Sequence, residues 1–220
     1  MKVVATLLLA TVVSVAAATS TAATTHLQPG VAKLTWTQTH ELKTSGEWHS
    51  GCPVARRDLR VLTVRYYGFD HGTHLGQIVV NKAVTTPLTT AFAKLYKMRF
   101  PIRKMSFEAA YGQHQDWSDL TASFECRQAA ASPCTGGRTG TWSMHAYGEA
   151  VDLNPRENPY VGCGMSRDKT ARSYMRRSDV RPGMAIRPTW RKSFAKVGWG
   201  WGGTWQGSTK DYMHFSINGH

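Results

Sequence analysis

The chain has 220 residues, 41% of them hydrophobic and 19% charged, enough for one domain with a buried core and too apolar for a disordered chain. Its 27 Lys and Arg against 14 Asp and Glu give a formal charge of +13. That balance draws an exported protein to polyanions such as anionic cell-wall polymers. No RNP, helix-turn-helix or zinc-finger pattern is present, so no specific nucleic-acid site is expected.

Residues 1–23 read as a secretory signal peptide: Lys2, an uncharged Val, Leu and Ala run from Val3 to Ala18, then the Ala-x-Ala-like Thr21-Ala22-Ala23. The run is shorter than the roughly 20 residues of a spanning helix, and no later segment could span a membrane. The mature protein is therefore expected outside the cell, without a membrane span, as a monomer. Residues 24–45 are Thr-rich without sustained periodicity and read as an N-terminal extension; the domain proper is placed at 46–220.

Within it, Leu59–Tyr67 and Gly76–Val80 read as neighbouring strands joined by a turn around Gly68, Asp70 and Gly72. Ala91, Phe92, Leu95 and Met98 or Arg99 recur at helical spacing between Thr89 and Phe100, and Pro101 stops the run. His71 and His74 fall in a polar turn, where a second metal site is disfavoured. Pro155–Gly183 is loop-like. The stretch Arg167–Lys192 is the densest in Arg and Lys and reads as a solvated basic surface. Ser193–Val197 reads as a short helix end, and Trp199, Trp201 and Trp205, among glycines, as a packed turn framing the site rather than a sugar-stacking platform.

Export favours disulfides for the four cysteines, with three possible connectivities and no C-x-x-C pair. A bridge at Cys126 would brace the adjoining Arg127.

The chemistry gathers in Ser143–Asp152 and Asp211–Phe215. His145 and Asp152 lie seven residues apart, roughly 23 Å along one strand and about 10.5 Å along one helix. The chain must therefore fold back between them, and Gly148 permits the turn. Ala150, Asp152 and Asn154 alternate with Val151 and Leu153; His214, Ser216 and Asn218 alternate with Met213, Phe215 and Ile217. Two antiparallel strands would then present Asp152 and His214 side by side. Two imidazoles and one carboxylate suit a catalytic zinc ion. Asp211, expected at the entrance of the second strand, remains free to act as general base on the attacking water. Tyr147 either lines the substrate groove or packs.

The pattern Ser143-x-His145-x-x-Gly148-x-Ala150-x-Asp152, followed by Asp211-x-x-His214, resembles the zinc D-alanyl-D-alanine carboxypeptidases and dipeptidases of peptidase family M15. Gly51-Cys-Pro-Val54, Phe124-Glu-Cys-Arg127, Asn158-Pro-Tyr160 and Gly198-Trp-Gly-Trp-Gly-Gly203 resemble its secreted, actinobacterial-type branch. The resemblance implies an α+β fold shared with the hedgehog signalling domain, with flanking helices and a small antiparallel sheet carrying Zn2+. It implies His145, Asp152 and His214 as ligands and Asp211 as base. Arg127 would polarise the scissile carbonyl or hold the substrate carboxylate, and Ser143 would position the peptide. It also suggests the bridges Cys52–Cys126 and Cys134–Cys163.

The expected activity is D,D-carboxypeptidase-type hydrolysis of peptidoglycan stem peptides. Asp211 departs from the glutamate common in carboxypeptidase relatives; aspartate is familiar in endopeptidase relatives that cut after L-alanine. An L-alanyl-D-glutamate-type endopeptidase is thus the alternative, ahead of a non-catalytic wall-, metal- or polyanion-binding module, which has no evident use for Asp211.

Overall fold

The computed structural model describes residues 27–220, so the expected signal peptide lies outside the described residues. In chain order the elements are β1 (Gly30–Lys33), α1 (Trp36–Thr44), β2 (Leu59–Gly68), β3 (Thr73–Asn81), α2 (Thr85–Lys97), β4 (Pro101–Ile102), α3 (Phe107–Tyr111), β5 (Gln128–Ala130) and β6 (Arg138–Trp142). There follow β7 (Ala150–Asp152), β8 (Tyr160–Gly162), β9 (Met165–Ser166), α4 (Arg187–Lys192), β10 (Gly200–Trp201), β11 (Lys210–Asp211) and β12 (His214–Ser216). The architecture is α+β, with small, mainly antiparallel sheets.

The largest sheet has the order β1-β2-β3, with β4 added in parallel at the end of β2. Its hairpin is the one expected from Leu59–Tyr67 and Gly76–Val80, closed at residues 68–72. Strand β2 begins with an almost unbroken apolar run because both faces are covered. Leu62, Val64, Ile78 and Val80 pack toward Leu88, Ala91, Phe92 and Leu95 of α2. Val61 and Val79, on the other face, meet Phe107, Ala110 and Tyr111 of α3. Helix α2 starts four residues before Thr89, its buried stripe gaining Leu88; Met98 is its C-cap and is 36% exposed, so the stripe ends at Leu95.

Residues 30–44, read from sequence as part of an extension, pack onto this sheet. Strand β1 pairs with β2, and a capping box between Thr35 and Gln38 starts α1. Helix α1 has little amphipathic pattern because Leu42 is its one buried side chain, which is why periodicity did not reveal it.

A second sheet, β10-β12-β7, carries the ligand pattern. Its inner side sends Val151, Phe215 and Trp201 into the α2 core, where Phe215 stacks 4.2 Å from Phe194. Burying each such side chain contributes about 1.5–3 kcal/mol. Trp199 and Trp201 are buried, and their indole neighbours are tied to backbone: Trp201 Nε1 donates to Tyr212 O, and Trp190 Nε1 to Trp199 O. The packed-turn reading holds for these two.

A third sheet, β11-β8-β9, lies within and beyond the stretch expected as loop. The link from β7 to β8 is held by Asn154, at φ 44°, whose side chain accepts from Arg103 N and donates to Pro101 O and Gly183 O. Arg103 also pairs with the buried Asp119 and Glu157 at 2.9 and 2.7 Å. The basic stretch is not uniformly solvated: Arg177 is half-buried, donates to Glu157 O, Asn158 Oδ1 and Ala185 O, and lies over the Tyr212 ring. The disulfides are Cys52–Cys126 and Cys134–Cys163, the two suggested by resemblance. Among the described residues, no helix is long and apolar enough to cross a membrane.

Candidate metal centre

Ser143 caps the 3-10 turn Met144–Tyr147, its Oγ accepting from His145 N at 3.3 Å. Gly148 ends the turn at φ 69°. A Cβ there would also lie 2.7 Å from Asn81 N, whose N–H donates to Gly148 O. Glycine is thus required both for handedness and for close approach. The chain reverses into β7, where Asp152 is the register partner of His214 on β12. Val151 and Phe215, one residue on, point into the core. The segment at Ala122 adds a two-way backbone pairing to Asp152, with N–O distances of 3.2 and 2.9 Å.

Three donor atoms converge at this point. His145 Nε2 lies 3.1 Å from His214 Nδ1 and 3.1 Å from Asp152 Oδ1, and the last two are 3.4 Å apart. Neighbouring ligands about 2.0–2.1 Å from a tetrahedral ion stand roughly 3.3 Å apart, so the triangle already has the size of three zinc-ligand positions. The proton inventory agrees. His145 Nδ1 lies 2.5 Å from the carbonyl oxygen of Ser123, which can only accept, so the ring hydrogen sits there and Nε2 turns a lone pair into the triangle. Asp152 Oδ1 is buried without a hydrogen-bond partner among the described residues. Burial alone would raise the Asp152 carboxyl; positive charge at the His145 and His214 positions holds it well below its ordinary value, and a bound dication would supply that charge with the rings neutral. Acceptors facing one another in a buried site fit a dication, and His145, Asp152 and His214 are the residues that could hold it.

Asp211 stands apart from that triangle. Expected at the entrance of β12, it precedes that strand on β11, a short strand of another sheet, opposite Tyr160 of β8. Desolvation, then the Asp152 carboxylate, push its carboxyl up from 3.8 to about 7. Oδ1 has no hydrogen-bond partner among the described residues. Gly202 makes room for it: a Cβ there would lie 2.4 Å from Asp211 O and 2.8 Å from Asp211 Cβ. Arg127 follows the Cys52–Cys126 bridge directly, and its Nε pairs with Glu125 Oε2 at 2.6 Å.

A cavity of about 190 Å³ opens over the site, lined among others by Arg127, Ser143, His145, Asp152, Asp211 and His214. Six of the seven residues singled out from sequence thus share one cavity. Tyr147 is the exception: it does not line the cavity, and its carbonyl accepts from Asn81 Nδ2. Tyr160, Trp205 and His220 do line it. Of the three tryptophans expected to form a packed turn framing the site, Trp205 is the one that reaches the cavity: its ring stacks on His220 at 5.6 Å and stands 6.3 Å from the His214 ring. Alternation with glycine could not separate it from the buried pair. The Ser123 carbonyl was also missed, since a backbone acceptor leaves no signature in side-chain type. The exposed His74 pairs with Asp70 at 2.9 Å, and His71 Nδ1 meets Tyr67 OH, so both are accounted for in their turn. The cluster of His49 with Cys52 and Cys126 is closed by the disulfide.

No curated protein and no solved structure matches the chain. Residues 136–217, which hold the triangle and Asp211, match the family model described as D-alanyl-D-alanine carboxypeptidase, and over that segment the chain is similar to this family.

Proposed function

We propose that the protein is a secreted zinc peptidase that hydrolyses peptidoglycan stem peptides, with D-alanyl-D-alanine carboxypeptidase-type specificity. The carrying observation is the separation of roles in one cavity: three donor atoms within 3.4 Å of one another, and a carboxylate outside them with its pKa near neutrality. A zinc ion held by His145, Asp152 and His214 would supply Lewis acidity, which lowers the pKa of water to about 7.

The chain's own residues supply the rest. Asp211, once deprotonated, takes a proton from the attacking water at a carboxylate oxygen and returns it to the leaving amine. Arg127 keeps its charge, because Glu125 and Asp152 offset its desolvation. Its Nε is engaged by Glu125 and one Nη1 hydrogen reaches Gln128 O at 3.5 Å, so both Nη2 hydrogens and the second on Nη1 are left for a carbonyl oxygen or terminal carboxylate. Ser143 holds the His145 turn and offers its hydroxyl to the same cavity. Two disulfides and the basic surface suit an extracellular enzyme held on an anionic wall.

A second reading, an L-alanyl-D-glutamate-type endopeptidase, is favoured by one observation. His145 and Asp152 also line a smaller recess of about 60 Å³, walled by Trp117, Leu120, Glu125 and Pro155. Space on two sides of the triangle would admit chain beyond the cut bond.

The deciding experiment digests purified peptidoglycan with zinc-loaded protein lacking residues 1–23 and identifies the products. Release of D-alanine from D-Ala-D-Ala ends supports the first reading. Fragments cut after L-alanine support the second. No cleavage by protein carrying one zinc per chain would overturn both.

A further inference from the structure

Away from the metal centre, at the junction of β1, β2 and α1, lies an open concavity of about 350 Å³ lined by Lys33, Arg56, Arg57 and Arg60 with Leu34 and Thr39. Its charge gathers at the end of a strand pairing. Lys33 and Arg60 are direct register partners across β1 and β2. Like charges facing each other in this way destabilise a sheet, and here two further arginines from the turn Arg56–Asp58 add to them. No carboxylate lines the concavity among the described residues. Asp58, the acid on that turn, is taken by Lys82 at 2.7 Å. None of the four cations has an ion-pair partner among the described residues.

Two of the four are held in place. Arg56 lies with its guanidinium 4.6 Å from the centre of the Trp48 ring. Arg60 Nη1 donates to Arg57 O and Leu59 O at 2.8 Å. Both arginines line the concavity, and their remaining N–H groups, without hydrogen-bond partners among the described residues, offer planar forks suited to phosphate oxygens.

We infer that this concavity is a binding site for a phosphodiester polyanion without bases, such as a glycerol-phosphate polymer. The polymer is preferred to free phosphate because the cleft is wet and open: one exposed contact is screened, whereas repeated charges on one chain bind with a high effective concentration. A nucleic acid is disfavoured because no aromatic side chain is among the residues lining the cleft, so it offers no platform for base stacking. The site does not depend on the metal centre or on which bond the enzyme cuts.

The test compares the mature wild-type protein with the variant Lys33→Glu/Arg57→Glu, whose replaced side chains are exposed and support no packing. A second variant, Arg172→Glu/Arg176→Glu/Arg191→Glu, carries the change in the other basic stretch. Binding of synthetic poly(glycerol phosphate) is measured by calorimetry between 50 and 200 mM salt, alongside inorganic phosphate, an oligonucleotide and dextran sulfate of matched charge. The expected result is at least a tenfold loss of polymer affinity in the first variant. Its log–log salt slope should be smaller by about two contacts' worth, roughly 0.7–0.9 each. Hydrolysis of a short uncharged peptide should be unchanged, which separates this site from the reading of the metal centre. Wild-type affinity in the first variant, or a larger loss in the second, would overturn the assignment. Equal or tighter binding of phosphate, oligonucleotide or dextran sulfate would overturn the ligand class.

Discussion

Asp152 and His214 are direct register partners across the antiparallel strands β7 and β12, with Oδ1 and Nδ1 3.4 Å apart. The pairing of two strands, not a local motif, sets this distance. A one-residue slip of either strand would turn its own ligand into the Phe215 core. Replacing either by alanine should leave the fold in place, since the opposite faces of both strands are anchored by Val151 and Phe215. It should abolish stoichiometric zinc and reduce hydrolysis to background. Metal analysis of dialysed protein, with circular dichroism as the folding control, checks both outcomes.

Asp211→Asn separates base from ligand. The residue is outside the triangle of donors, so zinc should remain near one per chain. Turnover should fall by about 10²–10⁴, the usual contribution of a positioned acid–base group. A variant that keeps zinc and wild-type turnover would remove Asp211 from the mechanism. The pH profile carries the same assignment. A base works deprotonated, and the Asp211 carboxyl sits at about 7 in the metal-free site. A bound dication favours the anion, so kcat/KM should rise with pH on a limb at or below 7 that Asp211→Asn lacks.

Much of this centre was legible in the sequence because its parts are periodic or conformationally exacting. Alternation exposed β7 and β12 as strands with one polar face, and seven residues between His145 and Asp152 demanded a reversal that Gly148 supplies at φ 69°. The route of Asp211 was not legible. Three residues from His214, it nonetheless belongs to another sheet, because β11 and β12 are two short strands separated by Tyr212 and Met213 rather than one. Helix α1 was invisible for a related reason: one buried leucine makes no period. The half-buried Arg177 looked like its exposed neighbours, since its partners are backbone carbonyls, the Asn158 amide and a ring brought from elsewhere in the chain.

Gly202→Ala tests the packing that delivers Asp211. The added methyl would meet Asp211 O at 2.4 Å and must displace β11, while the metal triangle, built on β7, β12 and the turn Met144–Tyr147, stays intact. The expected signature is full zinc content with kcat reduced at least about tenfold, since misplacing a catalytic group by 1 Å can cost 10²-fold. Loss of zinc in this variant would mean that β11 and β12 move together.

The Cys52–Cys126 bridge joins residues 74 apart and leads straight into Arg127. Chain entropy alone predicts that a bridge over such a span stabilises by about 4 kcal/mol. Cys52→Ala/Cys126→Ala should therefore lose roughly 2–5 kcal/mol in denaturant unfolding. Freed of the bridge, Arg127 should hold substrate less well, seen as a raised KM with zinc unchanged.

Glu47 gives the stability of the apoprotein its pH dependence near the site. Burial, then the neighbouring Glu125 carboxylate, raise its carboxyl from 4.5 to about 7, although Gln115 and Arg127 oppose the shift. A carboxyl that is harder to ionise when folded binds more protons in the native than in the unfolded state between those two values. Its contribution is complete below about pH 4.5 and is lost as the pH rises to about 7, so ionised Glu47 is a burden above neutrality. Part of the group meets solvent, which reduces the effect to about 1–2 kcal/mol at pH 8. Glu47→Gln keeps the size and the reach to Gln115 without the charge. It should raise unfolding free energy at pH 8 by that amount, change little at pH 4, and flatten the intervening slope. Urea unfolding at both pH values measures the difference, and equal gains at pH 4 and pH 8 would show that packing, not ionisation, is responsible.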